Sequence, residues 1–196
     1  MGAGFATAAT LLAYSHEMHS DLDVRSASDS DAAAIAALHA ASWRRHYRGA
    51  YADSFLDGDV EADRLAVWSA RLGTPDPQLV TVVVEAPAGL AGFAHAVLDK
   101  DEQWGTLVDN LHVALAYQRN GVGARLMESI AEAVGVGPMY LWVLEQNVAA
   151  QAFYRRLGGQ SVERALVPPP GGVPSRLNGS PSRLRMCWPD ASVLAG

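Results

Sequence analysis

The segment "LVDNLHVALAYQRNGVGARLMESIAEAVGVGPMYLWVL" (107–144) constrains the chain most. An apolar, β-branched run leads into a turn with Gly121 and Gly123. Val122, Leu126, Ile130 and Val134 then recur on one helical face, and a second apolar run follows the Gly-Val-Gly-Pro break. Strand, helix, strand in this order is a crossover, which predicts two parallel strands in one sheet. A glycine inside a helix costs about 1 kcal/mol against alanine, so two at a helix start mark a backbone that has to stay bare. The free N–H groups of a first helical turn converge there and the macrodipole adds roughly half a positive charge, which suits a phosphate.

The flanking sequence extends one mixed α/β sheet. A short strand around "DVRSA" precedes a helix with Ser30 or Asp31 as its N-cap and Ile35, Leu38 and Ser42 at helical spacing. The segment "RRHYRGAYADSFLDGDV" reads as turn-rich, and a second helix carries Leu65, Trp68 and Leu72. "QLVTVVVEA" and "LAGFAHAVLD", turned by Pro-Ala-Gly, predict an antiparallel hairpin. After the crossover, a short helix runs from about Val148 to Leu157. "QSVERAL" and "RLRMCW" follow as strands separated by a proline- and glycine-rich loop, long enough to line a site. Residues 1–22 read as an N-terminal extension, with Met18 a candidate start, 23–190 as one domain and 191–196 as a tail.

A net charge of −6 argues against a general nucleic-acid binder, which needs clustered Lys and Arg in excess, and mildly favours cationic partners. The apolar run Phe5–Leu12 is too short to span a bilayer and lacks the basic start of a secretory signal, so no membrane association is expected. The single cysteine, Cys187, excludes an internal disulfide framework, and the scattered histidines offer no metal spacing. A cytoplasmic setting without a metal is the expectation. A dinucleotide fingerprint would need a third glycine at 126, where this chain has Leu.

The motif Gln118-Arg119-Asn120-Gly121-Val122-Gly123, preceded by a strand ending Leu-His-Val and followed some 25 residues on by "EQNVAAQAFYRRLGG", resembles the GNAT superfamily of acyl-CoA-dependent N-acetyltransferases. The resemblance covers roughly Val24 to Asp190, since "ASWRRHYRG" and "RLAVWSARL" are similar to the first two helices of a subgroup. It implies a mostly antiparallel sheet splayed at a central parallel crossover and flanked by helices. It also implies acetyl-CoA as acyl donor, an amine acceptor, expected to be a small molecule, and room for a homodimer. The pyrophosphate would lie on the amides from Arg119 to Ala124, and the pantetheine arm would pair with Leu111, His112 and Val113. An acyl-CoA sensor without turnover is the rival reading.

Acetyl transfer to an amine needs a neutral amine, an oxyanion donor and a proton for the leaving thiolate. A backbone N–H near Val113 is the simplest oxyanion donor. Tyr154 matches the family tyrosine beside the CoA sulfur, against a plain packing role, and Asn147 matches the helix-opening Asn, either on the cofactor arm or as a cap. Many members carry Glu where this chain has Leu107, so the base is open among Asp109, His112 and Glu145, with solvent as a further route. A regular pleat puts Asp109 on the face of Leu107, Leu111 and Val113 and turns His112 away, and a bulge would exchange those faces. Trp43 and Tyr47 stand where the family's acceptor pocket lies, with core the first reading of Trp43 and ligand contact the second.

Overall fold

The computed structural model describes residues 22–195. The expected N-terminal extension and the alternative start at Met18 lie outside the described residues, except that Leu22 is buried in the main core. Seven strands form one sheet: β1 (Asp23–Ser26), β2 (Leu79–Ala86), β3 (Gly89–Asp101), β4 (Gly105–Val113), β5 (Met139–Leu144), β6 (Gln160–Leu166) and β7 (Ser182–Trp188). Their order is β1-β2-β3-β4-β5-β7-β6, and β4–β5 is the parallel pair among antiparallel ones.

The helices are α1 (Ala32–His46), α2 (Asp53–Leu56), α3 (Val60–Gly73), α4 (Val122–Val134) and α5 (Val148–Arg156). Both sheet faces are covered, which is why β2 reads as a continuous apolar run instead of an alternating one. Val82 and Val84 join Leu126, Met127 and Ile130 of α4 in one cluster, while Val83 and Phe93 pack on Ile35 of α1 and Trp68 of α3. A third cluster, with Trp43, Tyr51, Phe55 and Leu144, also buries Val167 at the start of the long β6–β7 loop. That loop is fastened to the turn after α1, where Ala52 donates to the Arg176 carbonyl and Asn178 to that of Ala50, each at 2.9 Å.

The hairpin β2–β3, the crossover and the two late strands fall where the residue pattern puts them. Three details differ. The turn-rich segment contains α2, whose Phe55 and Leu56 are buried and whose flanking Asp53 and Asp57 both pair with Arg48. In α3 the buried positions are Val60, Arg64 and Trp68, and Leu65 is 43% exposed. Asp31 opens α1, but its carboxylate turns back to the Ser28 amide at 2.8 Å and to Arg25. Beyond the last strand, Ala191–Leu194 form a 3-10 turn with Ala191 buried in the α4 cluster.

Parallel pairing of β4 with β5 is confined to Thr106↔Met139 and Leu107↔Tyr140, after which the strands part. Gly105 sits at the closed end of this wedge with φ +70°, and a Cβ there would lie 2.1 Å from the Pro138 carbonyl oxygen. Both the left-handed backbone and the lack of space demand glycine. Gly105→Ala is expected to lower stability by about 2–4 kcal/mol in urea unfolding. Gly73→Ala, at a position where a Cβ meets nothing, should change it by less than about 1 kcal/mol.

Candidate active site

The wedge between β4 and β5 opens into a cleft of about 840 Å³ floored by Leu111, His112 and Val113 and bounded by the glycine turn and by α5. With β5 gone from its side, this stretch of β4 has an edge without a ladder partner, the kind of edge an extended chain can pair with. The glycine turn stands at one end. Arg119 and Gly121 both have left-handed backbones, φ +65° and +80°. The next amides after Gln118 to reach a backbone acceptor are those of Ala124 and Arg125, both on the Gly121 carbonyl, among the described residues. The intervening N–H groups form a concave cradle of the kind that holds phosphates.

The two glycines serve different needs. A Cβ at Gly121 meets nothing within 4 Å, so its requirement is the positive φ and the open space in front of it. A Cβ at Gly123 would sit 3.1 Å from Phe153, so this glycine also lets α5 approach α4. Gln118 donates to the Val113 carbonyl at 3.3 Å and ties the loop to β4. Asn147 caps α5 by accepting from the Ala150 amide at 3.1 Å, and it lines the cleft as well. Buried Gln151 donates to the carbonyls of Leu144 and Glu145 and fixes α5 to the end of β5.

Tyr154 projects from α5 into the cleft, 7% exposed, with its ring edge toward Trp188. Burial pushes its phenol well above the usual range, with Tyr47 adding to the effect, so the hydroxyl keeps its proton as a donor. Tyr47 follows α1 and lines both this cleft and a second cavity of about 580 Å³. Its phenol is pushed up to about 12, by burial and then by the Asp109 charge.

Asp109 also lines both cavities and is the single carboxylate that does so among the described residues. It occupies a bulge: His95 pairs with Asn110 and Ala96 with Val108, which leaves Asp109 as the extra residue. The regular pleat is thus broken at this point. Val108, Leu111 and Val113 pack with the α4 cluster, whereas His112 faces α1. The Asp109 carboxylate reaches Arg71 of α3 at 2.9 Å.

His112 accepts from or donates to the Ser42 hydroxyl through Nδ1 at 2.8 Å and stacks near His39 and Phe93. Burial, with His46 adding repulsion, pushes it down to about 3, so it is neutral at physiological pH. Glu145 lies outside both cavities, held by Arg164 at 2.8 Å on the surface, which lowers its pKa.

Trp43 lines the second cavity beneath the guanidinium of Arg64, 4.4 Å from the ring centre. Arg64, Arg71, Arg183 and Trp142, not singled out by sequence, complete this cavity together with Pro168–Gly171 of the long loop that was expected to line a site. The signal was present for the first two, because Arg64, Trp68 and Arg71 recur at four and three residues on one helical face. For Arg183 it lay in the alternation of "RLR" across from the aromatic residues of "MYLWVL".

The sequence profile described as "Acetyltransferase (GNAT) family" matches residues 36–159, more than half of the chain. The chain belongs to this family and is an acyltransferase. A Mycobacterium tuberculosis protein named as a probable N-acetyltransferase, Rv2775, is 26% identical over 149 residues, spanning 70% of this chain and 79% of its own. A GCN5-related N-acetyltransferase from Rhodopseudomonas palustris superposes with TM-score 0.63 at 21% identity, over 85% of this chain and 94% of its own. The Salmonella typhimurium protein yncA, solved with its cofactor acetyl-CoA, superposes with TM-score 0.59 at 21% identity, over 86% of this chain and 94% of its own. Among the described residues, no helix is long and apolar enough to cross a membrane and no group of three His, Cys, Asp or Glu is placed to hold a metal.

Three imidazoles are buried where α1 and α3 pack on the sheet, and of these His112 lines the cleft. His39 is held well below its ordinary value by burial first, His95 is pushed down to about 4, and His112 to about 3. In the unfolded chain each would titrate near about 6.5. Between these values the unfolded state binds more protons, so stability is complete above about pH 6.5 and falls as pH is lowered. Each imidazole contributes up to about 1.4 kcal/mol per pH unit in that window. Urea unfolding at pH 7.5, 6 and 5 should show this decline, and His95→Gln should make it shallower.

Proposed function

We propose that this protein transfers the acetyl group of acetyl-CoA directly to a primary amine of a small molecule. One observation carries the reading: the cleft that ends at the glycine turn and the second cavity meet at Tyr47, just past α1, and at Asp109, on the strand that lost its neighbour. A donor along β4 and an acceptor in the second cavity would come together there, which is what a direct transfer between two bound molecules requires.

The free amides from Arg119 through Gly121 and Val122 to Gly123 bind the pyrophosphate, while that of Ala124 is held by the Gly121 carbonyl. The edge of Leu111, His112 and Val113 receives the pantetheine, and Asn147 borders it while capping α5. In the transfer the amine nitrogen forms a bond to the acetyl carbon and the carbon–sulfur bond breaks. An acceptor that arrives as an ammonium gives up two protons, one before attack and one from the nitrogen of the tetrahedral intermediate; the leaving thiolate takes up one, and the other passes to solvent. The N–H near Val113 stabilises the developing oxyanion, since a fixed dipole needs no reorganisation. Tyr154 donates to the thiolate from a phenol that burial keeps protonated. Asp109 receives the amine as an ammonium and takes its proton, directly or through water. His112 is bonded to Ser42 and does not line the second cavity, and Glu145 stays with Arg164. Trp43 and Tyr47 form the acceptor wall.

Acetyl-CoA should raise the melting temperature by mass action, and NAD should not. Gly121→Asn retains a residue tolerant of positive φ but fills the space before the cradle. It should weaken acetyl-CoA binding by about 10-fold or more, the loss expected when a charge-assisted hydrogen bond is disrupted, with little change in the melting temperature of the free protein. Equal acetyl-CoA shifts in wild type and variant would remove the turn from the binding site.

Tyr154→Phe removes one hydroxyl and keeps the ring. Turnover should fall by about 10- to 1000-fold, spanning the range of a positioned proton donor, with acetyl-CoA affinity almost unchanged. Asp109→Asn should flatten the ascending limb of the pH–rate profile, and His112→Gln should leave it in place. A profile unchanged by Asp109→Asn would assign the proton to solvent.

A further inference from the structure

The second cavity has a charge of its own. Three guanidiniums, those of Arg64, Arg71 and Arg183, line it together with a single carboxylate, Asp109. Asp109 is matched by Arg71. Arg64 and Arg176 divide the two oxygens of Asp63 between them. Arg183 has no carboxylate partner among the described residues. The buried Nε of Arg183 and Nη1 of Arg71 lack hydrogen-bond acceptors. Leaving such charged donors unsatisfied is costly. Burial and the neighbouring Arg185 both push the Arg183 pKa down, the mark of a cation placed where a counter-charge is missing.

Aromatic faces hold these guanidiniums in place. Arg183 lies 4.0 Å from the ring centre of Trp142 and Arg64 4.4 Å from that of Trp43. A guanidinium stacked on its flat side keeps its N–H edge free for a planar, two-oxygen partner. The remainder of the wall, Tyr51, Val167 and Pro168–Pro170, is largely apolar.

We propose that the acceptor is a small amine carrying an oxyanion, a carboxylate or a phosphonate, seated against Arg183 and Arg71 with its amine toward Asp109. This rests on the acetyl-transfer reading above. The bound arrangement alternates in sign: ammonium, Asp109, Arg71, oxyanion, Arg183. A polyamine or other cationic acceptor would instead add positive charge beside guanidiniums that already exceed the carboxylates. The chain is acidic overall, yet the field inside this cavity runs the other way.

The test measures CoA release from acetyl-CoA with matched acceptors. α- and ω-amino acids and aminoalkylphosphonates form one arm, and the corresponding amides and alkylamines the other. The best oxyanion-bearing acceptor should exceed its uncharged counterpart in kcat/KM by about 10- to 100-fold, the range for hydrogen bonds to a charged group. Carboxylates against phosphonates identify the oxyanion. Arg183→Gln should remove most of that ratio through the acceptor KM, with the acetyl-CoA KM unchanged, and Arg183→Lys should restore part of it. Amides or alkylamines that match their acidic counterparts, or a ratio that survives Arg183→Gln, overturn the inference and leave acetyl transfer standing. If no acceptor in either arm releases CoA, the transfer reading fails on this panel, and binding decides the inference. The acids, and not the amides, should then raise the melting temperature of the acetyl-CoA-bound wild type but not of Arg183→Gln. Equal shifts in the two proteins, or none, overturn it.

Discussion

Two residue pairs hold β4 parallel to β5, and then the strands separate. A separation inside a sheet leaves backbone donors and acceptors without partners, an arrangement that a folded chain tolerates only where water or a ligand can satisfy them. The rest of the architecture follows from this gap. It sets the cleft beside Leu111 to Val113, lets α5 bring Tyr154 against it, and points the first turn of α4 at its end. Gly105 closes the wedge because no side chain fits beside the Pro138 carbonyl.

Toward the open end of the wedge a layer of aromatic side chains, Trp142, Trp43 and Tyr51, lines the second cavity, and the β6–β7 loop borders it through Val167 and Pro168–Pro170. Arginines penetrate this aromatic layer, where stacking compensates part of their desolvation. The result is a cavity of basic character in an acidic protein, so net charge describes the outer surface and not the site.

The buried histidines belong to the same division. His39 accepts from the Trp68 indole at 3.0 Å, and His112 bonds Ser42 at 2.8 Å. The first bond joins α1 to α3, and the second joins α1 to β4. The rings brace the wall opposite α4, and their neutrality at physiological pH keeps further positive charge away from Arg64 and Arg71.

The sequence by itself determined the elements whose signals are local. The period of Val122, Leu126 and Ile130, the glycines that interrupt it and the apolar runs on either side identified the crossover, the turn and the family resemblance, because each depends on residues a few positions apart. The hairpin β2–β3 was legible for the same reason. Tertiary structure alone decided the bulge at Asp109, since a period of two carries no record of where a partner strand skips a residue. It also decided that Arg64 joins Trp68 inside while Leu65 is exposed, because the Arg64 guanidinium is covered by Trp43 of another helix. The meeting of Arg71, Asp109, Trp142 and Arg183 in one cavity draws on α3, β4, β5 and β7. No local pattern encodes that convergence: it arises when the sheet splays and the segments on either side pack into the opening.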